Sequence, residues 1–214
     1  MPVERRKKLV ELANKYDVIV VEDNPYGALR FEGEILPAIK SFDTEGRVIY
    51  LGTMSKVYCP GLRIGWIAAN SEIINKYNTI KQGADLQCNS MTQRECSLYL
   101  DMYDLNAHVD EIIEVYRKRR NLMIETMEKY FPQGVTWTHP QGGLFLWVTL
   151  PEGLDAADVF KKALEKKVAF VAGEPFYPNG GNANHIRLNY SCMPEDKIVE
   201  GMKRLGETLT EMIK

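Results

Sequence analysis

The chain has 214 residues, 45% hydrophobic and 26% charged, with 27 basic against 29 acidic side chains and a net charge of -2. That balance excludes a disordered, highly charged segment and removes the long-range field that would draw the chain to nucleic acid or to anionic lipid. Cys59, Cys88, Cys96 and Cys192 lack Cys-x-x-Cys spacing and His108, His139 and His185 lack ligand spacing, which excludes a sequence-readable zinc site and points to a reducing compartment.

No apolar run is long enough to span a bilayer, and the amino terminus lacks the apolar core of a signal peptide, so the expected location is cytoplasmic, with no membrane partner. Pro2 suits the first turn of a helix that runs through Arg5, Leu9, Leu12 and Ala13 to about Tyr16. The run Arg5-Arg6-Lys7-Lys8 lacks interleaved aromatics and reads as that helix's solvated face, so no nucleic-acid partner is expected. Val18-Ile-Val-Val21 is a continuous apolar run, the pattern of a strand buried on both faces. It ends in Glu22-Asp23, and Asn24-Pro-Tyr-Gly27 is a turn signal. A loop with a short helical turn near Leu36 to Lys40 returns the chain for a parallel strand, Val48 to Thr53. A second apolar strand runs from Ile64 to Ala69. The separation of about ten residues is too short for a parallel crossover, so this pair is expected to be antiparallel. Asp23, Thr53, Ser55, Lys56 and Arg63 then converge at one sheet edge, where open α/β sheets gather ligands.

Further along, Ser71 is a candidate cap for a helix carrying Ile73, Ile74, Tyr77 and Ile80, and a second helix covers about Met91 to Met102. The longest helix covers about Val109 to Tyr130, with Ile112, Tyr116, Met123, Met127 and Tyr130 as its buried stripe. Past Phe131-Pro132 the pattern changes to short strands at Gly134 to Thr138, Gly143 to Leu150, Val168 to Val171 and His185 to Ser191. Helices are expected from about Ala156 to Lys166 and from about Pro194 to Met212. In the last strand Ile186, Leu188 and Tyr190 share one face and Arg187 projects from the other. The reading is an α/β chain in three parts: residues 1–107 as part of a larger mostly parallel sheet domain with one antiparallel strand, 108–131 as a linking helix, and 132–214 as a small α+β domain.

The sheet edge offers a carboxylate (Asp23), a phenol (Tyr26), two hydroxyls (Thr53, Ser55), an amine (Lys56) and a guanidinium (Arg63). Pyridoxal phosphate is a ligand that needs all six. It takes a lysine for its aldehyde, an acid beside its ring nitrogen, a donor for its phenolate oxygen, and a positive fork with hydroxyls for its phosphate. A lysine released from the aldehyde is free to move protons at a substrate's alpha carbon, which is transamination in outline.

Asp23-Asn-Pro-Tyr26, Gly52-Thr-Met-Ser-Lys56 and Pro60-Gly-Leu-Arg-Ile-Gly65 together resemble the class I and II aminotransferases, the fold-type-I pyridoxal phosphate enzymes. Gln141 to Trp147, Val168 to Phe176 and Ile186 to Ser191 look most like the branch of 2-aminoadipate aminotransferases, which the cofactor-binding domains of MocR-type regulators share. The resemblance implies that Lys56 holds the cofactor covalently and is catalytic, that Asp23 pairs with the ring nitrogen and that Tyr26 bonds the phenolate oxygen. By the same resemblance Thr53, Ser55 and Arg63 hold the phosphate, and Arg187 grips the substrate's alpha-carboxylate. It also implies amino acid and 2-oxo acid substrates and a homodimer for the full-length protein. Family members are about twice this length, so residues 1–107 read as the C-terminal part of the cofactor-binding large domain. Ala172 stands where many relatives have proline. Two other readings are open: a cofactor-sensing effector domain of a MocR-type regulator, and a fragment without activity alone.

Overall fold

The structure is a computed structural model that describes residues 1–213. It divides into two compact units, Met1–Ile112 and Ile113–Lys214. The first opens with α1 (Val3–Tyr16), which starts after Pro2 and buries Val10 and Ala13. Of the basic run, Lys7 and Lys8 pair with Glu4 and Glu11 on the surface, as a solvated face should. Arg6 instead donates from Nη1 to the Pro37 carbonyl at 2.8 Å and ties the helix to the following loop.

Strands β1 (Val20–Asp23), β2 (Val48–Thr53) and β3 (Gly65–Ala68) form one sheet in the order β1-β2-β3. β1 and β2 are parallel, with Asp23 opposite Leu51; β2 and β3 are antiparallel, with Thr53 opposite Gly65. Both orientations agree with the sequence. The expected burial of β1 on two faces is corrected: Val18 and Ile19 precede the strand, and Val21 is 59% exposed. β1 lies at the edge of this sheet, and the face carrying Val21 is bare. The opposite face is covered, and there Glu22 is buried because its carboxylate accepts the Ile39 and Lys40 backbone N–H groups at 2.8 and 2.9 Å. Those donors open a short 3-10 turn, Ile39–Phe42.

α2 (Ser71–Ala84) is capped by Asn70, whose side chain accepts the Ile73 N–H, so the expected cap at Ser71 moves back one residue. Asn70 also donates to the Gly46 carbonyl at 2.9 Å, which serine is too short to do at the same time. α2 buries no residue; α3 (Ser90–Met102) buries only Cys96. α4 (Leu105–Tyr130) passes from one unit into the other. Of the stripe expected along it, Met123 and Met127 are buried, while Ile112, Tyr116 and Tyr130 are half-buried.

In the second unit β4 (Thr136–Trp137), β5 (Phe145–Thr149), β6 (Val171–Ala172) and β7 (His185–Asn189) form an antiparallel sheet in the order β4-β5-β7-β6. The strand expected over residues 168–171 is reduced to two residues, because Lys167 turns through the left-handed region and Val168 is buried against the core instead. β7 lies inside the sheet, between β5 and β6. Alternation sends Leu146, Val148, Ile186, Leu188 and Tyr190 inward, all at 4% exposure or less. They share the core with α5 (Ala156–Glu165) and α6 (Glu195–Met212), which are in contact with each other and bury Val159, Ala163, Leu205 and Leu209. Gly206 lets α6 approach closely, since a Cβ there would lie 2.4 Å from the Tyr130 carbonyl oxygen. No described helix is long and apolar enough to cross a membrane.

Candidate active site

β1 and β2 end on the same side of the first sheet, and their register fixes what stands there. Asp23 is opposite Leu51, two residues before Thr53, so the Asp23 and Thr53 side chains leave the same face. The partner of Thr53 across the ladder is a glycine, which leaves that face without a side chain there, and a Cβ at Gly65 would meet the Gly52 carbonyl oxygen at 2.9 Å. On the other face Trp66 lies across Gly52, where a Cβ would fall 2.2 Å from the indole. The Gly52-Thr53 pair therefore separates a face occupied by the Trp66 indole from an open one.

The chain leaves β2 in a tight turn, with the Tyr58 and Cys59 N–H groups both donating to the Met54 carbonyl at 2.9 and 3.1 Å. Met54, Val57 and Leu62 are buried and anchor the turn from below. Above them, the Thr53 hydroxyl donates to the Ile64 carbonyl at 3.2 Å, accepts the Ser55 N–H at 3.1 Å and lies 3.0 Å from the Ser55 hydroxyl. Two hydroxyls are thus held side by side, one residue before a half-buried Lys56. Among the described residues no carboxylate lies within ion-pair reach of Lys56.

Arg63 closes the loop in the left-handed conformation, φ 55° and ψ 37°, after the turn Pro60–Leu62. Glycine would fit that backbone at lower cost, by roughly 1 kcal/mol or more. The backbone alone therefore does not explain an arginine here. Its Nη1 donates to the Pro60 carbonyl at 3.2 Å and the side chain is exposed. Tyr26 is half-buried in the turn that follows Asp23, where the Asn24 amide folds back over Gly27, 2.5 Å from where a Cβ would lie.

Six of the seven residues singled out from the sequence lie in the first unit: Asp23 and Thr53 end β1 and β2, Tyr26 follows β1, and Ser55, Lys56 and Arg63 lie between β2 and β3. The seventh, Arg187, belongs to the second unit. It projects, as expected, from the face opposite Ile186 and Leu188, and that face of the inner strand β7 is lined by aromatic rings. The Arg187 guanidinium carbon lies 4.2 Å from the Phe145 ring centroid and 4.7 Å from that of Phe176. Arg187, Phe145 and Asn189 also border a cavity of about 780 Å³.

Two features were not read from the sequence. Tyr58 stacks on Tyr99 at 3.9 Å and Tyr99 on Tyr103 at 5.3 Å, pinning the Lys56 turn to α3; burial, then the charge of Glu95, push the Tyr58 phenol up, so it stays neutral. Tyr99 and Tyr103 fall one helical turn apart, the signal that could have paired them. The Phe145 and Phe176 contacts had no such local signal, since Phe176 lies outside any strand.

The donor set fits a phosphorylated aldehyde with a basic ring. Two fixed hydroxyls and an arginine suit a phosphate, an acid on the open face suits a ring nitrogen, and an amine without a carboxylate partner suits an aldehyde.

The model of the family described as "Aminotransferase class I and II" matches residues 1–205. Aromatic-amino-acid aminotransferase 1 of Thermococcus litoralis is 50% identical over 214 residues, all of this chain and 51% of its own length. The solved kynurenine aminotransferase of Pyrococcus horikoshii, in complex with PMP, superposes with a TM-score of 0.96 at 48% identity, covering all of this chain and 53% of that one. LysN, the alpha-aminoadipate aminotransferase of Thermus thermophilus complexed with N-(5'-phosphopyridoxyl)-L-leucine, superposes with a TM-score of 0.95 at 37% identity over 99% of this chain and 55% of that one. The chain spans about half the length of the relatives it matches. On the extent of the family match, the chain belongs to the class I and II aminotransferases.

Proposed function

We propose that the protein is a pyridoxal-phosphate-dependent aminotransferase that moves an amino group from an amino acid to a 2-oxo acid, acting as a homodimer in the cytoplasm. The observation that supports this reading is the turn after β2, which holds the Thr53 and Ser55 hydroxyls together next in sequence to Lys56, an amine with no carboxylate partner among the described residues, while Asp23 leaves the same face as Thr53. Pyridoxal phosphate, when bound, supplies an electron sink for the substrate's alpha carbon.

This chain's residues do the rest. Thr53, Ser55 and Arg63 hold the phosphate, arginine with a charge that does not titrate and a fork that matches two oxygens. The Asp23 carboxylate would pair with the ring nitrogen, since a neighbouring opposite charge favours the protonated form. The Tyr26 hydroxyl donates to the phenolate oxygen. Lys56 would hold the cofactor through its aldehyde, and its Nζ, once free, would be the base that moves a proton between the substrate's alpha carbon and the cofactor's aldehyde carbon. Arg187 receives the alpha-carboxylate. The test is a two-substrate assay of the full-length protein with pyridoxal phosphate, run with aromatic, kynurenine and 2-aminoadipate donors. Transfer to 2-oxoglutarate that disappears in Lys56→Ala supports the reading; transfer that persists in that variant overturns it.

A further inference from the structure

We propose that Phe145 and Phe176 form an aromatic clamp that fixes the plane of the Arg187 guanidinium for a substrate carboxylate, which makes them positioning residues of the reaction. The inference rests on the role given to Arg187 above.

The register of β5 and β7 sets Trp147 opposite Arg187 and Phe145 opposite Asn189, so Phe145 reaches Arg187 along the diagonal of the same face. Phe176 comes to that face from a short 3-10 turn, Glu174–Phe176. What brings the turn so close is Gly173: its N–H donates to the His185 carbonyl at 2.7 Å, and a Cβ there would lie 2.5 Å from the His185 Cβ. The two rings contact the guanidinium carbon at 4.2 and 4.7 Å. Trp147 meets the Phe176 ring edge-on at 5.6 Å and stacks on His185, also at 5.6 Å, which braces Phe176 from behind.

Core packing does not account for the arrangement, because Phe176 is 49% exposed. An ion pair does not account for it either: among the described residues no carboxylate is within reach of Arg187, and its Nε is buried without a hydrogen-bond partner. The difference between the two ways of holding an arginine matters for function. A carboxylate would fix the side chain by occupying the N–H fork, the group a ligand needs. Aromatic faces attract the cation through the ring quadrupole and restrict its plane while leaving the outer N–H groups for a second carboxylate. Fixing the fork in advance removes rotamer freedom that binding would otherwise have to remove.

The test uses the pyridoxal-phosphate-loaded full-length protein and 3-phenylpropionate, a carboxylate with no amine to react, with its dissociation constant read by calorimetry. Phenylalanine at 176 is replaced in turn by its mono-, di- and trifluoro analogues, which weaken the ring quadrupole with little change of shape and so spare the fold. The expected result is a stepwise loss of affinity reaching about tenfold, matched by Phe176→Leu and rescued by Phe176→Tyr. Constant affinity across the fluorinated series, with Arg187→Ala still weakening binding, overturns the clamp and leaves the carboxylate role of Arg187 in place. Binding that is absent in the unsubstituted protein, or unchanged in Arg187→Ala, overturns that role and the clamp with it.

Discussion

The two units bury their apolar residues to very different degrees. In the second, the inward set of β5 and β7 is sealed, with Leu146, Val148 and Ile186 at 0% exposure. In the first, Val21 is 59% exposed, Trp66 48% and Ile80 69%, and α2 buries nothing. Isolated exposed apolar side chains are ordinary, but a strand face left bare at Val21 and a helix that buries no residue mark surfaces suited to being covered. The same unit carries six of the seven proposed site residues. Its local chemistry is nonetheless well defined, because the hydroxyl pair, the glycine contacts and the turn at Met54 are fixed by short-range hydrogen bonds and not by a deep core. Order at the site and burial of the unit are therefore separate properties.

The sharpest way to separate them is Lys56→Ala. Loss of the only group proposed to move the proton should lower kcat in the full-length enzyme by about a thousandfold or more. Its effect on stability should stay within about 0.5 kcal/mol, since among the described residues the side chain has no ion pair to lose. A kinetic trace and a thermal melt on the same samples check both parts.

Core truncation contrasts the units directly. Leu146→Ala, in the sealed unit, is expected to cost about 2–5 kcal/mol. Ile80→Ala, on the bare helix, should change stability by no more than about 0.5 kcal/mol. Denaturant midpoints measured on the two variants would break the comparison if the second loss equalled the first.

Next in size is Asp43, which organises the turn into β2. Burial resists its ionisation, but hydrogen bonds from Lys40 and from the Val48 and Arg47 N–H groups prevail and hold its pKa at about 2, against an ordinary 3.8. A depressed folded-state value contributes stability above the unfolded pKa, and that contribution is lost as pH falls from 3.8 toward 2. Asp43→Asn should therefore cost about 1–3 kcal/mol at neutral pH and progressively less below pH 4, as acid titration followed by circular dichroism will show. Asn70→Ala removes the α2 cap and its bond to Gly46 for an expected loss of about 1 kcal/mol, again by thermal melt.

Much of this was legible in the sequence because the determining signals are local. The parallel and antiparallel ladders followed from connection length, and Asp23 and Thr53 fell on one rim because each ends an apolar run at a turn. Arg187 was placed on the outer face of its strand by simple alternation. What alternation cannot state is what else lies on that face: the ring of Phe176 arrives from a turn docked through Gly173, a contact between segments with no shared period. The burial of Val21 was misjudged for a related reason. An apolar run reports that a side chain is written for contact, and does not report whether the contacting layer lies within the same 213 described residues. The cap at Asn70 escaped because serine and asparagine are near-equal caps, and only the distant Gly46 carbonyl decides between them.

Everything proposed for the site depends on the amine after β2 being the one that bonds the cofactor. The most direct measurement is borohydride reduction of the full-length protein equilibrated with pyridoxal phosphate, followed by peptide mass mapping. A pyridoxyl mass increment confined to the peptide containing Lys56 is the result expected. An increment on another lysine, or none at all, would contradict the account.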